Sequence, residues 1–188
     1  MQNEASATLF PMARYLLAWL VLFGAAACNI VPSRVPLGET FPAGVARALD
    51  GGEVRFPDAF AEDPLLVAIA YTDEADLDAE RWIAESRRRG ETIRSVRMHV
   101  TPGTAGILLS PFIDAGERSR TGETGPAAVL TAYGDLADRI ATQTGMGKAE
   151  FARVLLVRTD GTIVWFCDTG FAPERLDDLV ATIGVTTR

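Results

Sequence analysis

Hydrophobic and polar positions along the chain predict an α/β domain that opens with a hairpin and a buried strand. Leu65 to Tyr71 is a continuous apolar run without polar alternation, which is typical of a central strand covered on both faces. Before it, residues 45–49 and 53–56 can pair around the turn Asp50-Gly51-Gly52, where glycine supplies the backbone freedom that a tight turn needs. These elements are the best candidates for the start of the core.

Two helices are predicted where apolar residues recur at helical spacing. The first is capped by Asp76 or Asp78 and extends to Arg89. Its inward positions are Leu77, Trp82 and Ile83. The second covers residues 127–144, with Pro126 in its first turn.

The segments around these helices are predicted to be less regular. Residues 93–100 alternate apolar side chains with Arg97 and His99. We therefore expect a strand with one face more exposed to solvent than the other, and an exposed His99. Residues 105–125 combine an apolar patch with three later glycines, and we interpret them as a loop or edge element.

A second hairpin and a last helix close the chain. Arms at 154–157 and 162–166 flank the turn at 159–161, and the helix covers 173–183. The predicted order is hairpin, strand, helix, strand, loop, helix, hairpin, helix. It indicates one α/β domain over residues 39–188.

The N-terminal residues resemble a bacterial lipoprotein signal. Arg14 is its positive charge, Tyr15 to Phe23 is an apolar core too short to favour a membrane span, and Gly24 to Ala27 are small residues before a cleavage site. Cys28 would then be the lipidated N-terminus, and simple secretion is the alternative. Met12 is the possible true start, because the residues before it carry no basic side chain.

This signal divides the chain into three parts. Residues 1–27 are predicted as the signal peptide, 28–38 as a tether, and 39–188 as the domain. The expected location is the bacterial cell envelope, with the chain lipid-anchored and facing the periplasm or the exterior.

Composition excludes several kinds of partner and site. The net charge of −7 disfavours nucleic acid and anionic lipid surfaces, since both are bound by clustered Lys and Arg. His99 is the only histidine, so multi-histidine metal sites are excluded within one chain. A calcium loop starting at Asp76 would need glycine and glutamate where Arg81 and Arg87 stand. We therefore expect no metal and no cofactor.

Cys167 is the only cysteine besides Cys28. If Cys28 carries lipid, Cys167 has no intramolecular disulfide partner. It is either a small buried residue on a strand or a possible redox thiol.

Two stretches of sequence resemble the thioredoxin-like superfamily. LDGGEVRFPDAF, residues 49–60, followed by LLVAIAYT, is similar to the opening of peroxiredoxin-like and lipoprotein-type thioredoxin relatives. LLVRTDGTIVWFCDTGFAPERLDDL, residues 155–179, is similar to their closing hairpin and helix, and its tryptophan also resembles the Atp10 family of ATP synthase assembly factors. The resemblance implies a thioredoxin-like three-layer fold with a central mixed sheet, an N-terminal hairpin, and a C-terminal β-hairpin plus helix.

The chain departs from the superfamily at the usual dithiol site. Redox catalysis in the superfamily needs a thiolate where the central strand meets the next helix, but that segment contains no cysteine. The superfamily's cis-proline is expected within 149–153, which contains no proline. We therefore expect no catalytic residue, and a possible binding surface formed by Thr72, Asp73, Glu74 and Asp76.

This interpretation predicts a non-catalytic binding or assembly protein, with an envelope protein or an extended peptide as partner and the membrane reached through lipid on Cys28. One alternative is a single-cysteine redox protein that uses Cys167. Another is an Atp10-like assembly factor for a membrane complex.

Overall fold

Seven strands form one mixed sheet in the computed structural model, which describes residues 31–89, 93–120 and 129–186. The strands are β1 (Gly44–Ala48), β2 (Glu53–Phe56), β3 (Leu65–Ala70), β4 (Arg94–Thr101), β5 (Val129–Tyr133), β6 (Arg153–Val157) and β7 (Ile163–Cys167). Their order across the sheet is β2-β1-β5-β4-β3-β6-β7. Only β3–β4 and β4–β5 are parallel. The C-terminal ends of β3, β4 and β5 therefore meet at one edge, which we call the carboxyl edge.

Helices pack on both faces of this sheet and make three layers. They are α1 (Asp73–Arg88), α2 (Thr104–Arg120), α3 (Gly134–Thr144) and α4 (Pro173–Thr186), with a short 3-10 helix at Asp58–Phe60. One core is formed with α3, through Leu136 and Ile140. A second core is formed with α1 and α4, through Trp82 and Leu179.

The central strand β3 confirms the prediction made from its apolar run. All six of its residues are buried, with Leu66 and Ala68 in the core of α1 and α4 and the alternate residues Leu65, Val67 and Ile69 in the core of α3. Both hairpins are also confirmed, since β1 pairs with β2 and β6 pairs with β7 in antiparallel fashion. Hydrophobic burial on two faces is what fixes β3 at the centre.

The prediction of a loop or edge element over 105–125 is wrong for the part that the structure describes. Residues 104–120 form α2, although Pro111 lies inside it. Three of its large apolar side chains are exposed, Ile107 at 53%, Leu108 at 78% and Phe112 at 76%. Because the apolar residues do not gather on one inward face, they show no clear helical period in the sequence. Residues 121–125 lie outside the described ranges.

The prediction of one helix over 127–144 is wrong in its first part. Residues 129–133 form β5, and α3 begins only at Gly134, whose φ of 58° turns the chain. Val129, Leu130 and Ala132 are all buried, since β5 is covered on both faces. Such a strand lacks polar alternation, so its sequence resembles the apolar start of the helix that follows it. Residues 127 and 128 lie outside the described ranges.

Helix α1 begins earlier than predicted and faces differently. Thr72, not Asp76 or Asp78, is its N-cap, because the Thr72 hydroxyl accepts a hydrogen bond from the Ala75 amide at 3.2 Å. Trp82 is buried as expected, together with Ile83. Leu77, expected to face inward, is 69% exposed.

Strand β4 has a buried charged residue on the face that was expected to be more exposed to solvent. Arg97, expected on the wetter face, is 2% exposed, because α1 covers that part of the strand and supplies carboxylates to it. His99, expected to be exposed, is half-buried. The charge alternation predicted the strand correctly but not the covering of its polar face.

The segment before β1 lies along the domain. Residues 38–41 pair with the start of β7: the Gly38 amide donates to the Ile163 carbonyl, the Ile163 amide to the Glu39 carbonyl, and the Phe41 amide to the Gly161 carbonyl, each at 2.9 Å. The described part of the predicted tether therefore rests on the protein surface. The predicted signal peptide and Cys28 lie outside the described ranges. Within those ranges we find no helix with the length and apolar character needed to cross a bilayer.

Candidate functional site

The carboxyl edge is built where β3 passes into α1. The Thr72 hydroxyl, besides capping α1, donates a hydrogen bond to the Ala149 carbonyl at 3.0 Å. The neighbouring Tyr71 hydroxyl shares a 2.8 Å hydrogen bond with Thr144 at the end of α3. The end of β3 is thereby held against residues 145–152, which connect α3 to β6 and are called here the edge loop.

Arg153 holds the edge loop through its buried side chain. Its side chain is fully buried, its Nε donates to the Gly145 carbonyl at 3.1 Å, and its Nη1 donates to the carbonyls of Lys148 and Phe151, both at 2.6 Å. The guanidinium lies 5.3 Å from the centre of the Tyr71 ring. Burial lowers the pKa of Arg153, while the negative charge of the Tyr71 phenolate at high pH and of the Asp168 and Glu150 carboxylates opposes that effect. Arg153 therefore holds three carbonyls of a loop that has no regular secondary structure.

Asp78 fastens a second loop to the same edge. Its Oδ1 accepts a hydrogen bond from the Phe171 amide at 2.9 Å, and its Oδ2 accepts one from the Ala152 amide at 3.1 Å. One carboxylate of α1 thus joins the edge loop to the turn that follows β7. The sequence indicates Asp78 as a candidate helix cap but not as a residue that joins two loops, because nothing local to it marks the distant amides that it binds.

The four residues predicted as a binding surface do not all lie on it. Thr72 is half-buried, and Asp73 and Glu74 are exposed in the first turn of α1, where negative charge is favourable beside the helix N-terminus. Asp76 is 8% exposed and lies 3.3 Å from the Arg97 guanidinium, to which Glu80 is also paired. The structure therefore groups residues 72–74 on the carboxyl edge and places Asp76 beside the buried guanidinium of Arg97.

Cys167 lies in the core of α1 and α4. It is 5% exposed at the end of β7, where it pairs with Val154. Its sulfur is 3.5 Å from the Thr169 hydroxyl and 3.9 Å from the Gly170 carbonyl. A thiol in such a setting is shielded from solutes in water.

In the described part of the chain, the carboxyl edge carries exposed charge but no exposed thiol, because Cys167 at the end of β7 is buried. Exposed carboxylates of Asp73, Glu74 and Glu150 outnumber the one exposed ammonium, that of Lys148, on the first turn of α1 and the edge loop. Among the described residues there is no group of three or more His, Cys, Asp or Glu side chains that could hold a metal ion. The arrangement offers a braced, acidic surface with hydrogen-bonding loops.

Comparisons with known proteins give no match in sequence and many in structure. The chain matches no protein-family model and no curated protein. A SCO1/SenC family lipoprotein from Bacillus anthracis is 8% identical, with a TM-score of 0.53 over 82% of this chain and 98% of that one. Yeast Sco1 with copper bound is 13% identical, with a TM-score of 0.52 over 80% of this chain and 94% of that one.

A third similar structure is the exposed lipoprotein thioredoxin Etrx1 from Streptococcus pneumoniae. It is 12% identical, with a TM-score of 0.52 over 77% of this chain and 99% of that one. At such identities the likeness establishes the fold. The thioredoxin-like α/β fold expected from the sequence, with its central mixed sheet, is confirmed.

Proposed function

We propose that this thioredoxin-like domain is a non-catalytic binding or assembly protein, anchored in the bacterial envelope by lipid on Cys28. The observation that supports this most strongly is the chemistry of the carboxyl edge. Where a redox member of the superfamily needs a thiolate, this chain has Thr72, whose hydroxyl both caps α1 and holds the edge loop. Cys167, the one cysteine among the described residues, is buried.

The surface proposed for binding consists of Asp73, Glu74 and the edge loop. Because Arg153 and Asp78 hold its loops, the surface is preformed, and these loops would lose little conformational freedom when a partner binds. An extended segment of an envelope protein fits an edge of this kind, because loop amides and carbonyls can bind its backbone. Two of the similar structures are described as lipoproteins, which supports an envelope location.

Charge reversal on the edge tests this proposal. The partner would be identified by cross-linking the full chain in its native membrane, and its affinity would then be measured for Glu74→Lys. Reversal of a charge beside the binding surface is expected to weaken binding by about tenfold. Asp58→Lys is the matched control, since Asp58 is exposed on the 3-10 helix at the opposite end of β3.

Two results would contradict the proposal. One is equal affinity of the Glu74→Lys and Asp58→Lys chains for every cross-linked partner. The other is thiol–disulfide exchange by the purified chain at a rate that Cys167→Ala abolishes, which would favour the redox alternative. Co-purification with one membrane complex, without such exchange, would favour the Atp10-like assembly alternative within the same class.

A further inference from the structure

A segment before β1, residues 31–34, lies along the turn that leads from α3 into the edge loop, and we call this segment the strap. The Met146 amide donates a hydrogen bond to the Val31 carbonyl at 2.7 Å, and the Arg34 amide donates a longer one to the Thr144 carbonyl at 3.5 Å. The two segments therefore run in opposite directions. The strap binds the turn through backbone groups, as an added strand binds the edge of a sheet.

Two glycines let the strap approach this turn, residues 144–147, which we call the cradle. A Cβ on Gly145 would collide with the Pro32 carbonyl oxygen and lie 2.6 Å from the Ser33 Cα. A Cβ on Gly147 would lie 3.0 Å from the Ser33 amide nitrogen and 2.9 Å from its hydroxyl oxygen. The cradle therefore accepts a backbone at a distance that a side chain would prevent. Its present occupant is an extended segment in which proline is followed by a small residue.

The cradle is held independently of the strap. The Arg153 guanidinium donates to the Gly145 carbonyl at 3.1 Å, and the Tyr71 hydroxyl shares a 2.8 Å hydrogen bond with that of Thr144. The Gly145 amide donates to the Ala141 carbonyl at 2.9 Å. Because none of these contacts involves the strap, they remain when the strap leaves, and the cradle is preformed for another segment.

The strap is held weakly. Pro32, Ser33 and Arg34 are exposed, and a segment that buries little apolar surface opens readily. Arg34 pairs with Glu39 at 2.6 Å, but both side chains are partly exposed, and such a pair contributes little. Pro36, by contrast, is buried. The strap can therefore leave the cradle while the chain that follows it stays in place.

We propose that the cradle is a docking site for an extended segment of a partner protein in which proline is followed by a small residue, and that the strap occupies this site as an internal competitor. This inference rests on the proposed function and adds the kind of partner and its regulation. The partner binds only molecules whose strap has left, so its apparent affinity falls with the fraction of such molecules. Because the strap is tethered, its effective concentration at the cradle is on the order of 1 mM.

A reversible lock tests the competition. Ser33→Cys combined with Gly147→Cys places two thiols where a Gly147 Cβ would lie 2.9 Å from the Ser33 hydroxyl oxygen, a separation that suits a disulfide. The oxidised full chain keeps its strap closed, whereas the reduced full chain can open, and peptide mapping confirms the bond. The probe is a fluorescent peptide with the sequence of residues 31–37, Val-Pro-Ser-Arg-Val-Pro-Leu, whose binding is followed by anisotropy.

We expect the reduced chain to bind this peptide at least about tenfold more tightly than the oxidised chain, because only the reduced chain has an open cradle. Equal affinity in the two states overturns the strap as a competitor.

Arg34→Glu tests the same competition without changing the cradle, and it decides the question if the double variant does not fold. Loss of the pair with Glu39 loosens the strap, so the peptide should bind about threefold more tightly than to the unsubstituted chain. Arg55→Glu is the matched control, since Arg55 pairs with Glu53 at 3.1 Å on the exposed strand β2, and it should leave the affinity unchanged. Equal affinity of Arg34→Glu and the unsubstituted chain overturns the competition. Absence of peptide binding to Arg34→Glu overturns the docking site.

The partner found by cross-linking separates this inference from the proposed function. If its affinity is the same for the oxidised and reduced chains but falls in Glu74→Lys, the proposed function stands and this inference fails. If the peptide binds as expected while Glu74→Lys and Asp58→Lys bind every partner equally, the acidic surface fails and the cradle stands as the docking site.

Discussion

Replacing Arg153 by methionine should destabilise the fold by about 3 kcal/mol. Methionine refills much of the volume but donates to none of the three carbonyls that Arg153 holds, those of Gly145, Lys148 and Phe151. A hydrogen bond from a charged donor contributes about 1 kcal/mol or more, so the loss of all three costs about 3 kcal/mol. Against a total stability of about 5–15 kcal/mol, such a loss is readily measured.

Urea unfolding followed by circular dichroism gives the free energy of unfolding for each chain. The matched control is Arg175→Met, because Arg175 is 58% exposed and pairs with Asp178 at 3.7 Å. That variant should stay within about 0.5 kcal/mol of the unsubstituted chain. A loss below about 1 kcal/mol for Arg153→Met would refute the argument that this side chain holds the edge loop.

Three further predictions concern groups near the same edge. Asp78→Asn should cost about 1–3 kcal/mol of unfolding free energy, since asparagine offers one oxygen to two amides; unchanged stability would contradict it. Burial raises the pKa of Tyr71 from 10.0 to about 12. The neutral Tyr71 side chain therefore contributes fully to the free energy of unfolding below pH 10, and this contribution is lost as the pH rises through about 12. Tyr71→Phe should lose less stability over that interval, and equal alkaline losses would count against this cause. Iodoacetamide should alkylate Cys167 slowly in the folded chain and quickly in urea, whereas fast native alkylation would favour the redox alternative.

The elements that were predicted correctly depend on short-range patterns. Leu65 to Ala70 has no polar residue, and so short an apolar run between polar segments is typical of a strand buried on both faces. Gly51, with a φ of 96°, marks the first hairpin because other residues rarely adopt that conformation. In both cases the signal lies within a few residues of the structure that it specifies.

The elements that were missed depend on what covers them. Helix α2 leaves Leu108 and Phe112 exposed, so no apolar stripe marks it in the sequence. β5 shows no alternation because neighbours cover both of its faces. The fold class was nevertheless predictable, because the two hairpins and the central strand, which define it, have clear patterns in the sequence.

The position of the candidate site was predictable from the sequence, but the side chains that hold its loops in place were not. The segment at Thr72 follows from the end of the central strand. Arg153 and Asp78 could not be assigned, because they bind backbone groups of loops, and a backbone amide or carbonyl looks the same at every position of a sequence. Asp76 and Arg97 form an ion pair although they are 21 residues apart in the sequence. Nothing in the identity of either residue indicates that the other is its partner.

The strip formed by residues 38–41 also bears on how the protein stays dispersed. It occupies the amide and carbonyl of Ile163 on the outer side of β7, where an uncovered strand could recruit another chain by hydrogen bonding. Shortened versions that start after Phe41 would uncover this backbone and remove a buried phenylalanine at once. Such fragments should aggregate, and material intended for crystallisation or binding work in solution should retain Gly38 and everything after it.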